Sequence, residues 1–102
     1  QATLHDVMAA AQVWFAEQLD GLEGAKARAY CQRRGIGAGA IKRFGIGFAP
    51  DRRNGLRKAL AAHGDDKLVE CGLLIRVEDE PRKEPYDRFR GRVMLPIQDA
   101  RG

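Results

Sequence analysis

Arginine is the residue through which this sequence has the most chemistry to offer. From position 82 to 101 there are six basic side chains (82, 83, 88, 90, 92, 101) against three acids (84, 87, 99), a local excess of three positive charges. At the centre of this stretch lies Arg88-Phe89-Arg90-Gly91-Arg92. If the chain is extended there, its period of two puts Arg88, Arg90 and Arg92 on one face and Phe89, Val93, Leu95 and Ile97 on the other. Like charges side by side repel, and a phosphate backbone laid along them would relieve the repulsion. Such a stripe fits a solvated strand face or a nucleic-acid contact, and the residues alone do not choose. Arg33-Arg34 and Lys42-Arg43 fall where two helices are expected to end, where cations complement the macrodipole.

Other chemistry is sparse. His5 stands at a helix start and His63 just before a helix-ending glycine, positions that suit solvent better than a metal. Asp65-Asp66 reads as a helix cap and Glu78-Asp79-Glu80 as a solvated loop, and no two carboxylates recur at a spacing that builds a magnesium site. Gly35-x-Gly37-x-Gly39 and Gly45-x-Gly47 resemble phosphate loops, but neither is followed by Lys-Ser/Thr, so they read as helix punctuation. Cys31 and Cys71 are too far apart for a C-x-x-C pair, which leaves out zinc ribbons and redox dithiols. Both are expected as free thiols of an intracellular protein, Cys31 as a small core residue.

The elements that must position these residues follow from periodicity and caps. Thr3 and Asp6 form a capping pair ahead of Leu4, Val7, Met8, Ala11, Trp14/Phe15, Gln18/Leu19 and Leu22, predicting a long amphipathic helix over 4–20 with Trp14 and Phe15 in the core. Alanines favour a second helix over 24–34, ended by Gly35 as a left-handed cap, and a third covers 38–43. Large apolar residues alternating with glycine suggest a strand or extended segment at 44–48. Asn54 can cap a helix over 55–62, and Asp65 another over 66–71 stopped by Gly72. Strands are expected over 73–77 and 88–97, with a charged, mobile loop from Glu78 to Pro85 between them. The class is α+β: helices first and a small antiparallel sheet last.

The 102 residues are one domain's worth, with 44% hydrophobic residues and 31% charged. That is too apolar for disorder and has no stretch near the ~20 apolar residues of a membrane span. The net charge of +4 permits a polyanionic partner without requiring one. The chain starts at Gln1 without a leader and ends on a strand and a turn, Gln98 to Gly102, that announce a returning strand. We therefore expect an excised piece of a longer protein.

Two segments carry a family resemblance. Tyr86-Asp87-Arg88-Phe89-Arg90-Gly91-Arg92-Val93-Met94-Leu95-Pro96-Ile97 resembles the YDRFR-x-R-[VI]-[MI]-[FL]-P-I segment of bacterial DnaG-type primases. Ala27-Arg28-Ala29-Tyr30-Cys31-Gln32-Arg33-Arg34-Gly35-Ile36, continued by Ile41 to Pro50, is similar to the family's A-x-x-Y-L-x-x-R-G-[IL] … I-x-x-F-x-[IL]-G-[YF]-A-P. Gly72-Leu73-Leu74 falls where the family has G-[LM]-[LV]. Cys31 replaces the usual leucine and Leu95 the commoner phenylalanine, both apolar.

The resemblance covers roughly residues 3–102 and implies the N-terminal subdomain of a primase catalytic core, a single domain over 1–102. The parent would be a DNA-directed RNA polymerase that makes short RNA primers on single-stranded template during replication. Its catalytic glutamate and Asp-x-Asp magnesium site would lie in a TOPRIM core beyond Gly102, and its zinc ligands before Gln1, so this piece would hold no cofactor and no catalytic residue. Its partners would be single-stranded template and the RNA–DNA primer duplex, with the replicative helicase held by other domains. It would be a cytoplasmic protein off the membrane, and the piece a monomer. The resemblance assigns template guidance to Arg34 and Arg88, with Arg90 and Arg92 as further candidates. Two other readings stay open on the residues: a winged helix-turn-helix module for duplex DNA, and a protein-interaction module.

Overall fold

The computed structural model describes residues 3–76 and 84–95. The first helix, α1, spans Leu4–Asp20. Thr3 and Asp6 close a reciprocal capping box at its start, the Asp6 N–H donating to Thr3 Oγ1 at 3.1 Å and the Thr3 N–H to Asp6 Oδ2 at 3.0 Å. Its buried stripe is Val7, Ala11, Phe15 and Leu19; Trp14 meets Phe15 edge-on, with ring centroids 5.4 Å apart. The apolar series does not continue to Leu22, which is 96% exposed because the chain leaves the helix at Gly21 and turns away through a 3-10 segment, Leu22–Gly24.

After that turn come α2 (Ala25–Arg33) and α3 (Ala38–Phe44), then strand β1 (Gly47–Ala49), α4 (Gly55–Ala59), a 3-10 turn at Ala61–His63 and α5 (Asp65–Glu70). Helices α2, α3 and α5 end alike. Gly35, Gly45 and Gly72 each take positive φ, and the residue after each (Ile36, Ile46, Leu73) donates its N–H to a carbonyl five residues back (Cys31, Ile41, Leu68). This is the Schellman closure, in which only glycine takes the left-handed position at no steric cost. Gly35, Gly37 and Gly45 bound helices as expected, whereas Gly39 lies inside α3 and Gly47 opens β1.

Two short antiparallel pairs replace the single small sheet. Strand β2 (Leu74–Ile75) pairs with β3 (Tyr86–Asp87), and β1 pairs with β4 (Arg92–Met94). The expected strand over 88–97 is therefore not continuous. Its beginning follows β2 and its middle follows β1, and residues 88–91 turn between them with Gly91 at φ +64°. Residues 96 and 97 lie outside the described residues. Strand β1 begins at Gly47 rather than 44 because α3 and its glycine cap occupy 38–45. The helix expected over 55–62 breaks at Leu60 into α4 and the 3-10 turn. Most of the expected 78–85 loop also lies outside the described residues; of its end, Glu84 is ion-paired to Arg57 and Pro85 is buried.

The core has two parts. One gathers Val7, Ala11, Phe15, Ala49, Leu56, Leu60, Leu68, Leu73 and Leu74 between α1 and the later elements. The other joins Leu19, Ala27 and Ile46, with Ile36, Ile41, Phe48 and Val93 against them. Cys31 is 2% exposed, a core thiol as expected. Strand β1 separates the two parts, its Ala49 in the first and its Phe48 in the second.

Candidate nucleic-acid interface

The caps of α4 and α5 are not those the sequence suggested, and the difference shapes the site. Asn54 makes no capping hydrogen bond, and its Oδ1 is buried without a partner among the described residues. Asp87, from β3, takes over. The Leu56 N–H donates to Asp87 Oδ2 at 2.8 Å and the Arg57 N–H to Oδ1 at 3.1 Å. Asp65 is the first residue of α5 rather than its cap, and its carboxylate faces Arg57 instead. Asp87 is 4% exposed, and burial pushes its carboxyl above the ordinary carboxylate value, an effect opposed by the N–H groups at the start of α4.

With Asp87 turned inward, its neighbours face out. Alternation along β3 places Tyr86 and Arg88 opposite Asp87, and the Arg88 N–H donates to Leu73 O at 2.9 Å, carrying the pairing one residue past the strand. Arg88 and Arg92 then flank a single ring: their guanidinium carbons stand 5.9 and 6.0 Å from the centroid of Phe89. Phe89 is itself packed on the first core cluster and lines an apolar pocket of about 90 Å³ with Phe15, Leu73 and Met94. Arg90 is exposed in the turn between them. The three arginines thus share a neighbourhood, but as a turn around an aromatic ring rather than as a flat stripe.

A further cation, Arg53, belongs with them and was not singled out from the sequence. Its guanidinium lies 4.5 Å from the Tyr86 ring centroid, and its carbonyl accepts from the Asp87 N–H at 2.8 Å. The only local signal was the Arg52-Arg53 pair; which of the two would stack was decided by distant partners, since Arg52 is taken up by Glu23.

Arg34 occupies a separate place. It is the C-cap residue of α2, exposed, with its guanidinium 5.2 Å from the Tyr30 ring. Ile36, two residues on, and Val93, next to Arg92, both pack on the second core cluster.

Of the acids nearby, Asp51 lies against Gly91, between Arg90 and Arg92 in the chain, while others are committed elsewhere. Asp87 holds α4; Asp65 and Glu84 hold Arg57 at 2.8 and 3.0 Å; Asp66 holds Arg76 at 2.8 Å. Among the described residues Arg34, Arg53, Arg88, Arg90 and Arg92 make no ion pair. Exposed guanidinium groups seated on aromatic rings offer planar donors to phosphates and π-faces to bases, with no group for acid–base or nucleophilic catalysis among them. Among the described residues no three His, Cys, Asp or Glu side chains cluster to hold a metal.

Known proteins agree with this architecture. The chain is 38% identical over 101 residues to a DNA primase of Salmonella typhimurium, covering 97% of this chain and 17% of that one. Its fold matches a DnaG primase catalytic domain bound to single-stranded DNA with a TM-score of 0.85 at 33% identity, over 97% of this chain and 32% of that one. It also matches the RNA polymerase domain of Mycobacterium tuberculosis DnaG in complex with a double-stranded DNA oligomer with a 6-nucleotide overhang, with a TM-score of 0.82 at 35% identity, over 93% of this chain and 29% of that one. The chain thus spans about a sixth of the curated primase and under a third of the two solved domains. Residues 14–102 fit the family described as DNA primase catalytic core, N-terminal domain. The chain belongs to the DnaG-type primases, as the N-terminal domain of their catalytic core.

Proposed function

We propose that this domain serves a primase that lays short RNA primers on single-stranded template, and that its arginine face guides the template backbone toward a polymerase site in the adjoining part of the protein. The observation that carries the reading is the set of exposed guanidiniums, Arg53 on Tyr86 and Arg88 and Arg92 around Phe89, with Asp87 turned onto α4 and Asp65, Asp66 and Glu84 paired to other arginines. Arg90, exposed in the same turn, adds to that charge, and Arg34, at its separate place on α2, is a further candidate contact. Support comes also from two solved relatives, one bound to single-stranded DNA and the other to a double-stranded DNA oligomer with a 6-nucleotide overhang. Phosphate contacts carry no base information, so the face tolerates any template sequence.

The chemistry of primer synthesis would then belong outside residues 1–102: magnesium and its acids in a following TOPRIM core, zinc in a preceding domain, the helicase on another part of the protein. The RNA–DNA primer duplex would be the second nucleic-acid partner, and the cytoplasm the compartment. No described helix is long and apolar enough to cross a membrane.

Fluorescence anisotropy with labelled oligonucleotides in the full-length protein tests this. Arg53→Ala and Arg88→Ala should each weaken single-strand binding to a similar degree on every sequence. Each should also make the log–log salt slope shallower by roughly 0.7 for every phosphate no longer neutralised. Duplex DNA without an overhang should compete poorly. Wild-type affinity in both variants, or preferential capture of blunt duplex, would overturn the reading. Residues 1–102 alone, given template, nucleotides and magnesium, should make no RNA; a templated product would place the chemistry here after all.

A further inference from the structure

Asp87 is 4% exposed and yet faces no cation closely enough to form an ion pair. Burying a carboxylate costs free energy, and an apolar side chain would have filled the space between β3 and α4 without that cost. What the carboxylate supplies is direction. Its two oxygens accept from the Leu56 and Arg57 N–H groups, so β3 meets the start of α4 in one register only. The main chain of the same residue donates to Arg53 O at 2.8 Å, fixing Arg53 two residues ahead of α4, and Asp87 pairs with Leu74 in β2. Three elements converge on one residue.

The cations sit on the other side of this junction. Tyr86, under the Arg53 guanidinium, and Arg88 alternate with Asp87 along the chain, so both point outward because Asp87 points inward. A slip of one residue in β3 would turn both toward the core and Asp87 toward solvent.

We propose that Asp87 is a positioning residue for template binding: seated on the start of α4, it fixes the outward face from which Arg53 and Arg88 reach the nucleic-acid backbone. The proposal rests on the template-binding reading above. It makes a forecast opposite to that of simple charge. Removing a negative charge beside a phosphate path tightens binding by Coulomb attraction alone, whereas loosening the junction weakens it.

The test is Asp87→Asn in the full-length protein, with labelled oligothymidylate as probe, well below the melting temperature of each variant. The substitution keeps the size of the side chain and one acceptor oxygen but replaces the other with an amide that cannot accept an N–H. Affinity should fall by about fivefold to tenfold, and the salt slope should become shallower by roughly 0.7 to 1.4 even though the protein gains one unit of positive charge. In an Arg53→Ala/Arg88→Ala background the same substitution should cause no further loss. Binding equal to or tighter than wild type, or a loss undiminished in that background, overturns the proposal. Should Asp87→Asn not fold, Asp87→Glu carries the test. It keeps the charge but displaces β3 by a methylene, so its affinity should fall in the same direction, and wild-type affinity overturns the proposal. The two readings fail differently: weakened binding in Arg53→Ala and Arg88→Ala with none in Asp87→Asn removes only the role of Asp87, while wild-type binding in the arginine variants removes both.

Discussion

Arg57 grips Asp65 with a two-bond fork, Nε to Oδ1 at 2.9 Å and Nη2 to Oδ2 at 2.8 Å, while its Nη1 reaches Glu84 Oε2 at 3.0 Å. The guanidinium is 19% exposed and the Asp65 carboxylate about a third exposed, so the fork is only partly screened by water. It ties α4 to the start of α5 and both to Glu84, shortly ahead of β3.

The fork makes a forecast in acid. The Arg57 guanidinium holds the Asp65 carboxyl below its ordinary value of 3.8, and the Thr3 cap does the same for Asp6. A lowered value means the ionised form is favoured by folding, so the contribution is present above pH 3.8 and is lost as pH falls through the folded value. Asp87 is shifted upward by burial, so its contribution runs the other way. Arg57→Met removes the fork and leaves Asp6 and Asp87 in place. Urea unfolding from pH 6 to 2.5 should show wild type losing more stability below pH 3.8 than Arg57→Met does, and at neutral pH the variant should be weaker by about 1 kcal/mol. Parallel acid limbs for the two proteins would contradict the assignment.

Gly47 sets the distance between β1 and α1. A Cβ there would stand 2.6 Å from Phe15 Cβ and 2.7 Å from Phe15 C, inside the backbone of the helix. Nothing at that contact is the free end of a flexible chain, so strand and helix would have to separate. Gly47→Ala should destabilise by roughly 3 kcal/mol, the upper end of an overpacking penalty, read from the urea midpoint at unchanged slope.

Gly35 tests a different property of the same residue type. Nothing lies within 4 Å of where its Cβ would be, but its φ is +79°. Gly35→Ala should therefore cost about 1 kcal/mol through backbone strain alone, and Gly35→Asn less, since Asn enters the left-handed region more readily. Equal losses for Gly35→Ala and Gly47→Ala would mean that sterics and strain had been wrongly apportioned between them.

What was legible in the sequence was local. Thr3 and Asp6 are three residues apart and form their capping box with no help from the rest of the chain; Gly35 and Gly72 end helices by their own conformational freedom. Alternation from Arg88 onward was legible too, yet it did not make one strand. Asp87 pairs with Leu74 and Arg92 with Ala49, and those two partners belong to different sheets. Periodicity cannot see a change of partner. The same holds for the site: Arg88, Arg90 and Arg92 were readable as a basic run, but the ring under Arg53 and the helix start under Asp87 come from segments some thirty positions away. Asn54 and Asp65 were reasonable caps by residue type, but the Asp87 carboxylate, which no local window contains, replaces Asn54, and Asp65 lies one residue inside α5 and turns to Arg57.

Arg34 separates charge from stacking. It closes α2 as the C-cap residue, exposed, with its guanidinium 5.2 Å from the Tyr30 ring, and it has no acid partner among the described residues. Lysine at that position keeps the charge near the helix terminus but loses the planar fork and most of the contact with the ring. If Arg34 meets template phosphate, Arg34→Lys in the full-length protein should leave the salt slope unchanged, because the count of neutralised phosphates is the same, while lowering affinity by about threefold through the poorer donor geometry. Arg34→Ala should lower affinity further and reduce the slope by roughly 0.7. Melting should stay within ~0.5 kcal/mol of wild type in both variants, since an exposed side chain away from the core contributes little to folding. A purely structural role, complementing the dipole of α2, gives the reverse pattern: a lower melting temperature for Arg34→Ala, rescue by Arg34→Lys, and single-strand affinity unchanged in both. Affinity, slope and melting measured on the same two variants decide between them, and an unchanged slope in Arg34→Ala would remove Arg34 from the template path.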